Sequence, residues 1–142
     1  MEGFRFNYRL RVRYSEIDGQ KIVFNAHYLT YLDCAVTEYF RDGLQLDMIK
    51  LAEQDIFDVV LAKTTLEFKS PAHLDDWLQI WVKTAEMGKS SMKIDFAVCR
   101  EGEQEPLVSA QTVYVSYDGH NKRSRPIPDF VRERIERFEQ GE

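Results

Sequence analysis

From residue 4 to residue 13, apolar and polar side chains change places at every step. Phe4, Phe6, Tyr8, Leu10 and Val12 alternate with Arg5, Asn7, Arg9, Arg11 and Arg13. A period of two puts one set on each face of a half-buried strand. From Asn25 the period changes. Tyr28, Leu29, Leu32, Ala35, Val36, Tyr39 and Phe40 recur at threes and fours, the apolar stripe of an amphipathic helix. Asn25 suits its N-cap and Gly43 its C-terminal stop, which predicts a helix of about 18 residues, roughly 27 Å long. A shorter helical turn is predicted over Asp47 to Gln54.

The remainder reads mostly as strand. Ile56 to Lys69 is rich in Val, Thr and Phe and is closed by Ser70-Pro71. Trp77 to Glu86 alternates Leu78, Ile80 and Val82 with Gln79, Trp81 and Lys83, and Gly88-Lys89-Ser90 turns it into a strand through Met92, Ile94, Phe96 and Val98. Leu107 to Tyr117 follows, then Asp118-Gly119, Pro126, Pro128 and a short final helix carrying Phe130, Val131, Ile135 and Phe138. The predicted order is one strand, one long helix, then about four antiparallel strands in a meander. That is an α+β fold, a curved five-stranded antiparallel sheet wrapped around one long central helix, in a single domain over residues 1–142. One helix covers only part of such a sheet, so a homodimer joined edge to edge or sheet to sheet is expected to protect the rest.

Composition narrows the partners. The chain is 44% hydrophobic with a net charge of −5, which argues against a nucleic acid or an anionic membrane as partner, since both need a basic footprint. No apolar run approaches the ~20 residues of a membrane-spanning helix. The start, MEGFRFNYRLRVR, lacks the apolar core of a secretory signal. Cys34 and Cys99 each fall inside an apolar periodic segment and read as small core residues of a reduced, cytoplasmic protein.

Asp18, at the junction of the first strand and the helix, carries the main chemical interest. Asp18-Gly19 has the composition of a tight hairpin turn. If the segment is instead a loop, a carboxylate stands beside the free amides of a helix start, and those amides favour developing negative charge. A base or nucleophile beside an oxyanion hole is what acyl transfer needs. His27, Asp33 and Cys34 spell a thiol triad, but His27 and Cys34 are about 10.5 Å apart along a helix and cannot share a proton. His73 and His120 sit in separate turns. No cluster has metal-ligand spacing, and no glycine-rich phosphate loop is present, so neither a metal nor a cofactor is expected. Lys89, Ser90 and Ser91 in one turn, and Arg123 in NKRSRP, are either solvated loops or a dock for a phosphate-bearing ligand. Phe24, Tyr28, Tyr31 and Trp81 serve equally as pocket walls or as core.

The stretch R-x-R-Y-S-E-I-D-x-x-x-I-V-F-N-A-H-Y-L-x-Y-L-D, from Arg11, resembles the signature of the hotdog-fold acyl-CoA thioesterases of the 4-hydroxybenzoyl-CoA thioesterase-like family. The order of elements and Pro126-Ile127-Pro128 extend the resemblance over nearly the whole chain. It implies that Asp18 attacks the thioester or activates water, and that the backbone amide at the helix start, matching Asn25, polarises the thioester carbonyl; the oxyanion hole is accordingly expected at the helix start around Asn25, Ala26 and His27. It also implies that Gly88–Ser91 meets the nucleotide and pantetheine of coenzyme A and that active sites lie between subunits of a dimer or tetramer; Phe24 and Tyr28 are the expected aromatic substrate-binding residues. Lys21 stands where the family usually has a glycine, which predicts a loop that turns differently or a lysine beside the thioester or phosphates. Two other functions fit the same pattern: hydration or dehydration of an acyl thioester by Asp18 and His27, and a non-catalytic acyl-CoA-binding module.

Overall fold

The computed structural model describes residues 1–141. Strand β1 (Phe6–Arg11) leads through a 3₁₀ turn (Tyr14–Glu16) to helix α1 (His27–Glu38), a π-turn (Tyr39–Gly43) and the short helix α2 (Met48–Glu53). Then come β2 (Val59–Phe68), β3 (Trp77–Met87), β4 (Ser91–Arg100), β5 (Pro106–Asp118), the two-residue β6 (Arg123–Ser124) and α3 (Asp129–Gln140). The α+β architecture is the one the periodicities imply. No described helix is long and apolar enough to cross a membrane.

The helix ends differ from expectation. α1 begins at His27, with Ala26 in the N-cap position and no side-chain cap, so Asn25 is not the cap. The turn before it is 3₁₀-like, with the Tyr28 amide on the Asn25 carbonyl at 3.3 Å. At the other end the Leu44 amide donates to the Tyr39 carbonyl at 2.8 Å, a widened turn. Gly43 is there for room rather than for handedness, because a Cβ on it would come within 3.3 Å of the Phe6 ring. Gln45, at φ 57°, takes the left-handed conformation instead. Asp47 caps α2 by accepting from the Lys50 amide at 3.1 Å.

The strands lie in the order β1-β3-β4-β5-β2, all pairs antiparallel, with β6 on β5. Only β3, β4 and β5 form a meander. β2 pairs with β5 at the far edge, not with β3 as expected, because the chain after it does not turn back tightly. It crosses beneath the sheet's end, where the Ala72 carbonyl accepts from the Val23 amide at 2.9 Å. Bulges between Leu61 and Lys63 and between Thr84 and Glu86 help bend the sheet. Its inner face presents Leu78, Ile80, Val82, Ile94, Val98 and Val108, each 0% exposed, to the buried side of α1: Tyr28, Tyr31, Leu32, Ala35 and Val36. Cys99 belongs to the interior as expected; Cys34 does not, since it falls off the buried stripe and is exposed.

The two sheet edges differ in character. On β1 the guanidinium of Arg9 lies 3.8 Å from the centre of the Trp77 ring, and Arg11 is paired with Asp75 at 3.4 Å. Charged side chains blunt that edge. On β2, Val60, Leu61 and Phe68 are 42%, 55% and 51% exposed.

Candidate active site

Between β1 and α1 the chain folds into a small hairpin. Ile17 bridges Val23, and the Phe24 amide donates to the Glu16 carbonyl at 2.9 Å. At the tip the Asp18 amide donates to the Ile22 carbonyl at 2.9 Å and the Lys21 amide to the Asp18 carbonyl at 3.0 Å. The Asp18 side chain folds back and accepts from the Gln20 amide through Oδ1 at 2.7 Å. The Asp-Gly turn is therefore formed, and it leads straight into the helix start; the two readings of this segment describe one structure. Lys21 closes the loop in the left-handed conformation, φ 63°. The loop keeps the backbone shape a glycine would favour there, and the lysine side chain is exposed.

At the helix start the His27 amide is taken by the Phe24 carbonyl at 2.9 Å and the Leu29 amide by the Ala26 carbonyl at 3.3 Å. Among the described residues nothing accepts from the amides of Asn25 or Ala26, both of which are exposed. The free donors are therefore Asn25 and Ala26, and His27 is not among them. The His27 ring meets Phe24 edge to face, centroids 6.2 Å apart. Phe24 is 53% exposed, available as a wall. Tyr28 is not: it is 2% exposed, and its hydroxyl accepts from the Ala72 amide at 3.3 Å, so it is core beneath the site.

Glu16 is the residue the motif reading missed. It is 4% exposed, and its carboxylate accepts from the Arg13 amide at 2.8 Å, the Arg13 guanidinium at 2.6 Å and the Tyr31 hydroxyl at 2.8 Å. Burial alone would push this carboxyl up, but the hydrogen bonds from Arg13 and Tyr31 outweigh it and hold it below the ordinary range. Burial, then Glu16 itself, pushes Tyr31 well up. The network ties the hairpin to α1. Its one sequence signal is the capping-box spacing of Arg13 and Glu16.

Beside α1 a cleft of about 250 Å³ is lined by Leu29, Thr30, Leu32, Asp33, Leu61, Thr64, Thr112 and Tyr114. The Oγ1 atoms of Thr64 and Thr112 are buried with no partner. Burial, then the charge of Asp33, pushes the Tyr114 hydroxyl up to about 12. This cleft opens at the β2 edge.

The basic candidates lie elsewhere. In the β3–β4 turn the Ser90 carbonyl accepts from the Ser116 amide at 2.7 Å, and the Gly88 carbonyl from the Arg132 guanidinium at 2.7 Å. Lys89 is exposed, and Ser90 and Ser91 are half-buried. Arg123, exposed on β6, faces Asp118 of β5. Lys89, Ser90, Ser91 and Arg123 thus gather at the C-terminal end of β5, while Asp18, Phe24, Asn25 and His27 gather near its N-terminal end. Trp81 is on neither site; it alternates with buried Ile80 and Val82 and so turns to the outer face. Among the described residues no group of three or more His, Cys, Asp or Glu is placed to hold a metal ion.

The profile of the thioesterase-like superfamily matches residues 12–135. The chain belongs to that superfamily. Among its relatives, the acyl-CoA thioester hydrolase YbgC of Escherichia coli O6:H1 is 28% identical over 126 residues, 89% of this chain and 92% of that one. A thioesterase from Thermus thermophilus, solved with coenzyme A and Zn, superimposes with a TM-score of 0.82 at 30% identity over 100% of both chains. Slr0204 of Synechocystis, a 1,4-dihydroxy-2-naphthoyl-CoA thioesterase, shares the fold at 20% identity, with a TM-score of 0.83 over 92% of this chain and 94% of that one. The fold of this superfamily member is the hotdog fold.

Proposed function

We propose that this thioester hydrolase cleaves an acyl- or aroyl-CoA thioester to the free acid and coenzyme A, with Asp18 as the working carboxylate. The observation that carries the reading is one short hairpin with Asp18 at its tip and the unengaged amides of Asn25 and Ala26 where it enters α1. As nucleophile, Asp18 adds to the thioester carbonyl carbon and expels the thiolate; water then cleaves the mixed anhydride. As general base, it takes a proton from the water that attacks the same carbon. Either way the carbonyl oxygen gains negative charge, which the two amides and the positive end of the helix stabilise. One such donor is worth about 2.7–4 kcal/mol in the transition state. Being backbone groups, they survive side-chain changes at Asn25. Phe24 flanks the acyl group, and Lys89, Ser90, Ser91 and Arg123 dock the phosphates. The coenzyme A complex of the Thermus relative and the name of the E. coli one support this substrate class.

The placement of the carboxylate and the phosphate dock at opposite ends of one sheet supports a site completed by two chains, for which a homodimer is the smallest assembly. The direct test replaces Asp18 with Asn and follows thiol release over a panel of acyl-CoA esters. Turnover should fall at least ~100-fold with KM little changed, the scale of a lost general base or nucleophile. Near-normal turnover in Asp18→Asn would sink the assignment, and water addition to an enoyl-CoA without thiol release would replace hydrolysis with hydration.

A further inference from the structure

Three consecutive carbonyls of the β3–β4 turn are bonded to three different parts of the chain. The Gly88 carbonyl accepts from Nη2 of Arg132 on α3 at 2.7 Å, and the Lys89 carbonyl accepts from the same nitrogen at 3.3 Å. The Lys89 carbonyl also accepts from the Ile127 amide at 2.9 Å, and the Ser90 carbonyl from the Ser116 amide at 2.7 Å. A planar trans peptide sends its N–H the opposite way from its C=O. Holding the Gly88 carbonyl against α3 therefore turns the Lys89 amide away from the protein, and holding the Lys89 carbonyl does the same for the Ser90 amide. Among the described residues nothing accepts from either amide. The bond that would close an ordinary four-residue turn, from the Ser91 amide to the Gly88 carbonyl, is not formed, and Arg132 takes that carbonyl instead.

We propose that Arg132 is a positioning residue for substrate binding: by clamping the Gly88 and Lys89 carbonyls it presents the Lys89 and Ser90 amides as a two-amide nest for one phosphate group of coenzyme A. The inference rests on the reading of this turn as the phosphate dock. It adds what does the holding: backbone donors, with the Lys89 ammonium as a screened supplement. Amides fixed by the fold lose no freedom when the ligand arrives, whereas an exposed lysine side chain must give up its rotamers.

The clamp has one replaceable member. Ile127 and Ser116 bond the turn through their backbone amides, which survive any ordinary side-chain change. Among the described residues Arg132 supplies the one side chain that bonds these carbonyls, and it has no carboxylate partner. Its donors are thus committed to the turn rather than to an ion pair, and it acts on the ligand through the turn.

The test compares wild type, Lys89→Ala and Arg132→Ala on one acyl group carried by coenzyme A and by N-acetylcysteamine, which has no phosphate. Arg132→Ala should raise KM for the coenzyme A ester about tenfold with kcat nearly unchanged, the scale of one lost hydrogen bond to a charged group. Its kcat/KM on the N-acetylcysteamine ester should stay at the wild-type value, which a loosened fold would not allow. In amide NMR spectra, free coenzyme A should shift the Lys89 and Ser90 amides of wild type but not those of Arg132→Ala. Three results overturn the inference: KM raised by Lys89→Ala but not by Arg132→Ala, an equal loss on both esters, or Lys89 and Ser90 amides that stay silent in the wild type. A KM unchanged in both variants sinks the reading of the turn as the dock, and this inference with it. The spectra read binding without turnover, so the nest stands or falls separately from Asp18.

Discussion

Asp18 and Lys89 stand at opposite ends of the same sheet. The Asp18 hairpin is bonded to Ala72, beyond the Phe68–Val108 pair, whereas the Lys89 turn is bonded to Ser116. The intervening residues of β5 span about 26 Å at ~3.3 Å per residue. In the proposed homodimer, a substrate held by both residues would touch two chains.

That relationship is checked by mixing subunits. Lys89→Ala alone should raise KM several-fold, leave kcat nearly unchanged and make KM less sensitive to salt, because the contact is exposed and screened. A mixed dimer of Asp18→Asn with Lys89→Ala holds one doubly altered site and one intact site. Its remaining activity should show the wild-type KM. If the raised KM of Lys89→Ala persists in the mixture, the two residues serve the same chain's site; if Lys89→Ala does not raise KM at all, Lys89 serves none.

The Glu16 network should govern acid stability. Its carboxyl is held below the ordinary value of 4.5, so its contribution is fully present above that pH and is lost as pH falls through the folded value. Glu16→Gln, neutral throughout, should be less stable than wild type by about 1–3 kcal/mol at pH 7. The gap should narrow below pH ~4.5 as the wild-type carboxylate takes up a proton. Urea denaturation at several pH values measures this; a gap that is constant with pH would mean the charge plays no part.

Period-two and period-3.6 patterns made β1, α1, β3, β4 and β5 legible, because one face of each must meet the core. What those patterns cannot carry is which edge a strand joins: β2 reads the same on β5 as on β3. The helix stripe took in Leu29, 47% exposed, and overlooked Tyr31, 2% exposed, since the stripe's edge is set by the neighbouring sheet. That Asp18 lies on a turn next to the helix start was legible from local spacing. The opposite placement of Lys89 was not, because it follows from strand order.

A long-range cluster without local signal anchors the C-terminal helix. The Glu139 carboxylate accepts from the buried Tyr39 hydroxyl and, at 3.0 Å, from the Thr84 amide. Tyr39 and Thr84 hydroxyls meet at 2.9 Å, and burial pushes Tyr39 well up. Glu139→Ala should cost about 1–3 kcal/mol. A double-mutant cycle with Tyr39→Phe should show coupling of ~0.5–3 kcal/mol. Additive losses in denaturant titrations would show the two groups to be independent.

Lys21 stores strain that glycine would release. A left-handed conformation costs a side-chain-bearing residue about 1–2 kcal/mol, partly offset by the backbone freedom glycine loses on folding. Lys21→Gly should therefore raise stability by about 0.5–1 kcal/mol and leave kcat unchanged, since the loop shape is kept. A fall in kcat with fold intact would instead place the lysine ammonium in the chemistry.

The hydrogen bond from the Gln20 amide to Oδ1 of Asp18 divides the labour of one carboxylate. Oδ1 is a structural atom, committed to the turn; Oδ2 is left as the reactive one. The side chain thus surrenders its torsional freedom when the chain folds, not when a thioester arrives, and in the proposed role that saving enters the barrier directly. A glutamate, one methylene longer, cannot close the same turn and present the second oxygen from the same place. The shape of the loop and the identity of its acid are one constraint.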